Sequence, residues 1–219
     1  SISVPSADLI SDEDGDTRVE TERLADDDFI RFYVEGTEKM RLRKNANNVP
    51  TLELLDSGDN TFVGRYAGED TSPNGIYGEN NVLVGYQAGK DNTDGRNNVG
   101  LGYQALYKNT TGALNIAIGA ETLEDNVNGG ENIAIGNRAV ANSISSSKNI
   151  GIGQGTLGNA SVGNDNTAIG WGALGTNSGQ KNVALGNLAG MNSSGDGNIF
   201  IGYSAGQTAN AGNALYIDN

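Results

Sequence analysis

The sequence predicts an all-β fold: a parallel β-roll (β-solenoid) of about nine to ten coils with a period of about 17 residues, preceded by a small β-hairpin module. Three observations predict it. A pentad, Asn-x-x-hydrophobic-Gly, recurs at nearly constant spacing. Within each pentad two apolar residues stand two apart, which is the strand period. Glycine interrupts the chain every few residues, at a cost of about 1 kcal/mol each to any helix, so the helical alternative is weak.

The pentads are NTFVG at Asn60, NVLVG at Asn81, NVGLG at Asn98, NIAIG at Asn115 and Asn132, NIGIG at Asn149, NTAIG at Asn166, NVALG at Asn182 and NIFIG at Asn198. A tenth, NALYI at Asn213, lacks the glycine, and the starts are separated by 21, 17, 17, 17, 17, 17, 16, 16 and 15 residues. Stacking one coil on the next places each asparagine over the last. These asparagines are expected to tolerate left-handed backbone and to pair their amides with the coil above, as a ladder. Nine coils at about 4.8 Å each give a roll about 43 Å long.

The rest of each coil follows from the same alignment. The middle pentad residue is usually small: Gly100, Ala117, Ala134, Gly151, Ala168, Ala184. The flanking Ile and Val, such as Ile133 and Ile135, are therefore expected to fill the interior, leaving a flat Ala/Gly face outside by which three rolls are expected to pack around an axis. Three residues after each pentad glycine stands Ala or Thr, then an apolar residue or glycine (Leu106, Leu123, Val140, Leu157, Leu174), which reads as a second short strand. A polar turn closes the coil. Glycine sits three residues before the next asparagine at Gly95, Gly112, Gly129, Gly163, Gly179 and Gly195. Gly75 fits less well in the long first coil, and Ser146 replaces glycine once.

Residues 1–56 do not repeat and carry 14 acids against 7 bases. Ile30, Phe32 and Val34 alternate, Glu35-Gly36 turns, and Met40 and Leu42 alternate, as in a hairpin. Residues 51–55 read as a further strand leading into residues 57–219, the roll. A parallel stack has open edges, so a distinct module is expected to cap or link its first coil, with residues 1–10 as an apolar extension able to dock on a neighbouring subunit.

Composition narrows the function. With 33 Gly but only 3 Pro, collagen is excluded. The net charge of −13 repels nucleic acid and an anionic membrane surface. No apolar run reaches the ~20 residues of a membrane-spanning helix. Without Cys or His there is no thiol nucleophile, no imidazole acid–base chemistry and no zinc finger. A start at Ser1 without Met points to a trimmed N-terminus and to secretion, and the stop at Asn219 reads as an interruption of a longer product.

Candidate sites are few. Asp12, Asp14, Asp16 and Glu20 are closely spaced oxygen donors of the kind calcium takes, although residue twelve from Asp12 is Arg23, which breaks an EF-hand; a solvated acidic loop is the plainer reading. Asp26 to Asp28 form a weaker cluster. Acids within the roll (Asp125, Glu131, Asp165) are scattered over turns and form no repeated pair for glycoside hydrolysis, so no enzyme is expected. Tyr86, Tyr103, Trp171 and Tyr203 directly follow pentad glycines, lie along one line of the solenoid, and are candidates either for packing between coils or subunits or for stacking on a sugar or partner protein. The Gly-x-Gly patterns belong to the repeat, and no other cofactor is implied.

The run Asn-Ile-Ala-Ile-Gly-x-x-Ala resembles the head repeats of trimeric autotransporter adhesins over residues 58–217. That resemblance implies a left-handed parallel β-roll and a homotrimer. This chain has longer coils and adds the leading asparagine. NNVGLGYQALYKNTTG, NALYIDN and IRFYVEGTEKMRLR also look like repeats and modules of bacterial surface and phage tail-fibre proteins. Three functional readings share this fold: an extracellular adhesive fibre on a cell surface, a phage-like tail-fibre or receptor-binding shaft, and a filament assembled end to end from its own trimers.

Overall fold

The computed structural model describes residues 10–11, 13, 17–21, 30–35, 37–44, 50–54, 58–71, 78–158, 163–176 and 179–218. By contact the chain divides into two compact units, Ser1–Asn60 and Thr61–Asn219. The described residues contain strands and turns and no helix.

The first unit holds a five-stranded antiparallel sheet: β1 (Ile10–Ser11), β2 (Arg18–Thr21), β3 (Ile30–Val34), β4 (Thr37–Lys44) and β5 (Pro50–Leu54), hydrogen-bonded in sequence order. The predicted hairpin is β3–β4, with Ile30 opposite Leu42 and Phe32 opposite Met40. Glu35 turns it in the left-handed region at φ 51°; Gly36 lies outside the described residues. Strand alternation sorts the side chains onto two faces. Arg31 and Tyr33 are buried, and ion pairs link Arg41 to Glu38 and Glu53 and join Arg31 to Glu38. Ile30, Leu42 and Leu52, aligned across β3, β4 and β5, are exposed on the other face.

The second unit is the roll. Its ten strands are β6 (Thr61–Val63), β7 (Val82–Val84), β8 (Val99–Leu101), β9 (Ile116–Ile118), β10 (Ile133–Ile135), β11 (Ile150–Ile152), β12 (Thr167–Ile169), β13 (Val183–Leu185), β14 (Ile199–Ile201) and β15 (Leu215–Ile217). They form one parallel sheet in strict sequence order, β6 to β15. Equivalent residues pair throughout: Ala117 lies opposite Ala134, and Ala134 opposite Gly151. The regular pentad spacing thus becomes a β-solenoid of about nine turns.

Side-chain direction corrects the expectation from sequence. The middle pentad residue points inward: Leu83, Ala117, Ala134, Ala168, Ala184 and Phe200 are buried. The flanking Ile and Val point outward, with Ile118 and Ile169 exposed. The reason lies in the segment expected to be a second strand. It is a tight turn, because Leu106, Leu123, Val140, Leu157 and Leu174 adopt φ of 49–58°. That conformation is costly for a bulky residue, and here it swings each side chain into the core, where all five are buried. The interior is therefore filled from the turn side, and only a small strand residue fits opposite.

Size is exchanged within the coil, except at Ala184 and Gly190, where both residues are small and Leu174 and Phe200 of the neighbouring coils reach in. Where the strand supplies Leu83 or Phe200, the turn position is Gly89 or Gly206; where the strand supplies Ala117 or Ala134, the turn position is Leu123 or Val140. A Cβ on Gly89 would lie 2.5 Å from Leu83, and one on Gly206 2.5 Å from Phe200. Close packing makes the two positions one volume shared between two side chains.

The pentad glycines form the corners. Gly119 has φ 132°, and a Cβ there would meet the Gly136 carbonyl oxygen at 2.7 Å in the coil above. Glycine is required by conformation and by the closeness of the stack.

The register also corrects the tenth pentad. Ile199 pairs with Leu215, so the last step is 16 residues and Ala214, not Asn213, takes the asparagine position. Asn213 occupies the preceding left-handed site at φ 56°. The same holds in other coils, where residues before the asparagine (Asn97, Leu114, Glu131, Lys148) have positive φ while the asparagine itself does not.

Candidate functional site

The pentad asparagines join successive coils through their side-chain amides, most of them through both ends; the Nδ2 atoms of Asn149 and Asn198 are buried without a partner among the described residues. The Oδ1 accepts the backbone N–H of the next asparagine: Asn98 N to Asn81 Oδ1 2.9 Å, Asn115 to Asn98 2.9 Å, Asn132 to Asn115 3.1 Å, Asn149 to Asn132 3.0 Å and Asn166 to Asn149 3.0 Å. Asn182 and Asn198 continue it at 3.0 and 2.8 Å, and Ala214 N closes it on Asn198 at 3.0 Å. The Nδ2 donates to the carbonyl of the turn residue 14 positions on, from Asn81 to Gly95, Asn98 to Gly112 and Asn115 to Gly129. Asn60 and the other eight are all buried. Amides in this role satisfy backbone groups that the narrow interior shields from water.

A second ladder was missed from sequence. Asn109 Nδ2 donates to Asn92 Oδ1 at 2.9 Å, and Asn126 Nδ2 to Asn109 Oδ1 at 2.8 Å. Each also donates to the glycine carbonyl three residues on, such as Asn109 to Gly112 at 3.0 Å. The 17-residue spacing was there to be read, but asparagine in a polar turn gave no reason to expect burial. The ladder ends at Ser143, whose hydroxyl hydrogen-bonds that of Ser146 instead. This explains the single glycine replacement: a Cβ on Gly129 would meet Asn126 Oδ1 at 2.4 Å, whereas Ser143 leaves room for Ser146.

The outward face of the ten-stranded sheet has two residues per strand, and apart from Thr61 and Thr167 all are Val, Leu or Ile. Val63, Val82, Ile118, Ile169, Leu185, Ile199 and Ile201 are exposed by 36–49% in the single chain. Such a contiguous apolar strip is uncommon on a soluble monomer.

Beside this strip runs the column of residues that follow the corner glycines. Tyr86 and Tyr103 stack with ring centroids 5.6 Å apart and planes 10° apart, and Tyr66 meets Tyr86 edge-on at 6.0 Å. Trp171 and Tyr203 are half exposed or more and are separated by the coil that carries Asn187. The structure thus brings together two of the four predicted aromatics and leaves the other two apart.

Charges on the turns alternate along the stack. Lys108 Nζ lies 2.6 Å from Asp125 Oδ1, Arg138 pairs with Glu121 at 3.4 Å, and Lys90 reaches Asp91, Glu69 and Asp70. The hydrogen bond that Lys108 donates to the Asp125 carboxylate holds the Lys108 pKa above its usual value. Glu124 is also raised, first by burial and then by the charges of Glu121 and Asp125. A cleft of about 580 Å³ lies on this side, lined by Lys108, Asp125, Asn142, Ile144, Gly158 and Thr176 among others.

Of the expected calcium ligands, Asp12, Asp14 and Asp16 lie outside the described residues, as do Asp26 to Asp28. Glu20 lies on β2 and accepts a hydrogen bond from Arg18 Nε at 2.7 Å. Among the described residues no three acids gather as a metal site, and no helix is long and apolar enough to cross a membrane.

Ladders, corner glycines and in-register strands together define a β-solenoid repeat protein. No protein-family model, curated protein or solved structure matches the chain.

Proposed function

We propose that the chain is a segment of an extracellular structural and adhesive fibre, in which three copies pack their apolar sheet faces around a common axis, and that it is not an enzyme. The observation that carries this reading is the Val/Leu/Ile strip along β6 to β15, interrupted only at Thr61 and Thr167. Burying such a side chain fully is worth about 1.5–3 kcal/mol, so covering the remaining surface of some eighteen of them is worth on the order of 10 kcal/mol. A second copy of the same chain is the natural cover, because its columns repeat at the same spacing and have the same β-branched shape. This replaces the Ala/Gly face that the sequence suggested as the contact, since those residues point inward. The number three and the extracellular setting rest on the resemblance of the pentads to adhesin heads.

Light scattering on the purified chain tests the proposal. The expected mass is three times the 22.7 kDa of one chain. The variant carrying Ile118→Lys and Ile135→Lys is expected to be a folded monomer with an unchanged β-type circular dichroism spectrum. A stable wild-type monomer overturns it.

A further inference from the structure

Tyr103 stacks on Tyr86, one ring per coil, with the planes 10° apart, so one face of its ring is turned to Tyr86 and the other away from it, on the side of the following coil. One face is therefore covered by Tyr86. The other looks toward the next coil, where the column carries Ala120. Ala120 is the smallest residue of that column, and no other aromatic in it has so small a neighbour: Trp171 stands between Gln154 and Asn187, and Tyr203 follows Asn187. Tyr103 is 48% exposed against 40% for Tyr86, which has Tyr66 edge-on against it as well.

The far side of this gap is Asn137, two coils from Tyr103. Two coil spacings are about 9.6 Å. A ring in contact with Tyr103 at about 3.5–4.0 Å would lie over Ala120 and leave about 5.6–6.1 Å before Asn137, less than a second ring with contacts on both its faces needs, so the gap takes one ring layer. The Asn137 amide is oriented, because its Nδ2 donates to the Ala120 carbonyl at 3.2 Å; that bond leaves Oδ1 as an acceptor. Next to Ala120 and Asn137 in the same two coils are Glu121 and Arg138, paired at 3.4 Å.

We propose that the gap over Ala120, between the open face of Tyr103 and the amide of Asn137, is a binding subsite for one pyranose ring of an uncharged glycan. The gap offers one flat apolar wall, one amide and one self-neutralised ion pair. A pyranose matches this with a C–H face for the tyrosine and hydroxyls that both donate and accept. The chain's charge of −13 selects against anionic rings such as nucleotides and uronic acids. The subsite belongs to a single roll and does not depend on how many copies associate.

Saturation-transfer NMR with methyl glycosides of glucose, galactose, mannose and N-acetylglucosamine tests it, with glucuronate as the anionic control. At least one neutral glycoside is expected to bind, with transfer to its ring C–H protons. Ala120→Tyr fills the gap with a third stacked ring and is expected to weaken that binding at least about tenfold while keeping or raising the melting temperature. Tyr103→Ala removes the wall and is expected to do the same; Trp171→Ala is expected to bind as wild type. If no glycoside binds the wild type, or if Ala120→Tyr binds as well as the wild type, the subsite does not exist. Should Tyr103→Ala fail to fold, Ala120→Tyr decides alone.

Discussion

Asn98 donates its backbone N–H to the side-chain oxygen of Asn81, 17 residues earlier, at 2.9 Å, while the Asn81 amide nitrogen donates to Gly95. One side chain thus replaces two lost water contacts at the point where one coil passes into the next. Asn115→Ala is expected to leave the Asn132 N–H without its partner, while the Gly129 carbonyl keeps the bond from Asn126. At about 1–3 kcal/mol for a buried group left unpaired, a loss of about 1–3 kcal/mol is predicted in urea unfolding. A loss under about 0.5 kcal/mol would show that the ladder is decoration.

The corner glycines give a graded pair of variants. Gly119→Ala places a Cβ 2.7 Å from a backbone carbonyl at φ 132°, and is expected to cost about 3 kcal/mol or to prevent folding. Gly155→Ala has a positive φ of 65° but nothing within 4 Å, so it is expected to cost about 1 kcal/mol. Thermal melts of the two check the order.

The shared core volume predicts compensation. Ala117→Leu overfills its coil and Leu123→Gly empties it, and each is expected to destabilise by about 2–4 kcal/mol. The double variant recreates the Leu83/Gly89 arrangement and should cost less than the sum by about 1–3 kcal/mol. Strict additivity in a double-mutant cycle would contradict the packing.

Glu124 gives a pH dependence. Its pKa is raised in the folded chain, so its contribution to stability is full below the unfolded value and is lost as pH rises through the folded one. Glu124→Gln is therefore expected to raise the melting temperature near about pH 7 and leave it unchanged near about pH 4. Melts of both proteins across that range provide the check.

The strand, its neighbours and the recurrence of the asparagines were legible because a period of 17 leaves equivalent residues only one way to stack. Facing was not legible. A three-residue strand such as Ile133–Ile135 has an apolar residue on both sides, so alternation cannot say which side is core. The answer lay in Leu123 and Val140, whose left-handed backbone no sequence pattern announces. Asn213 misled for a related reason: asparagine suits both the ladder site and the left-handed site before it, and only pairing with β14 separates them. The aromatic line was visible in the spacing, whereas the gap over Ala120 needed the ring orientation of Tyr103.

All of this depends on coils rising one strand spacing at a time. The sequence has no cysteine, so Tyr86→Cys and Asn187→Cys can carry a pair of nitroxides in an otherwise unlabelled background. These positions are six coils apart, and double electron–electron resonance is expected to show one narrow distance near about 29 Å. A broad distribution, or a distance half or twice that, would mean that successive pentads are not stacked in register.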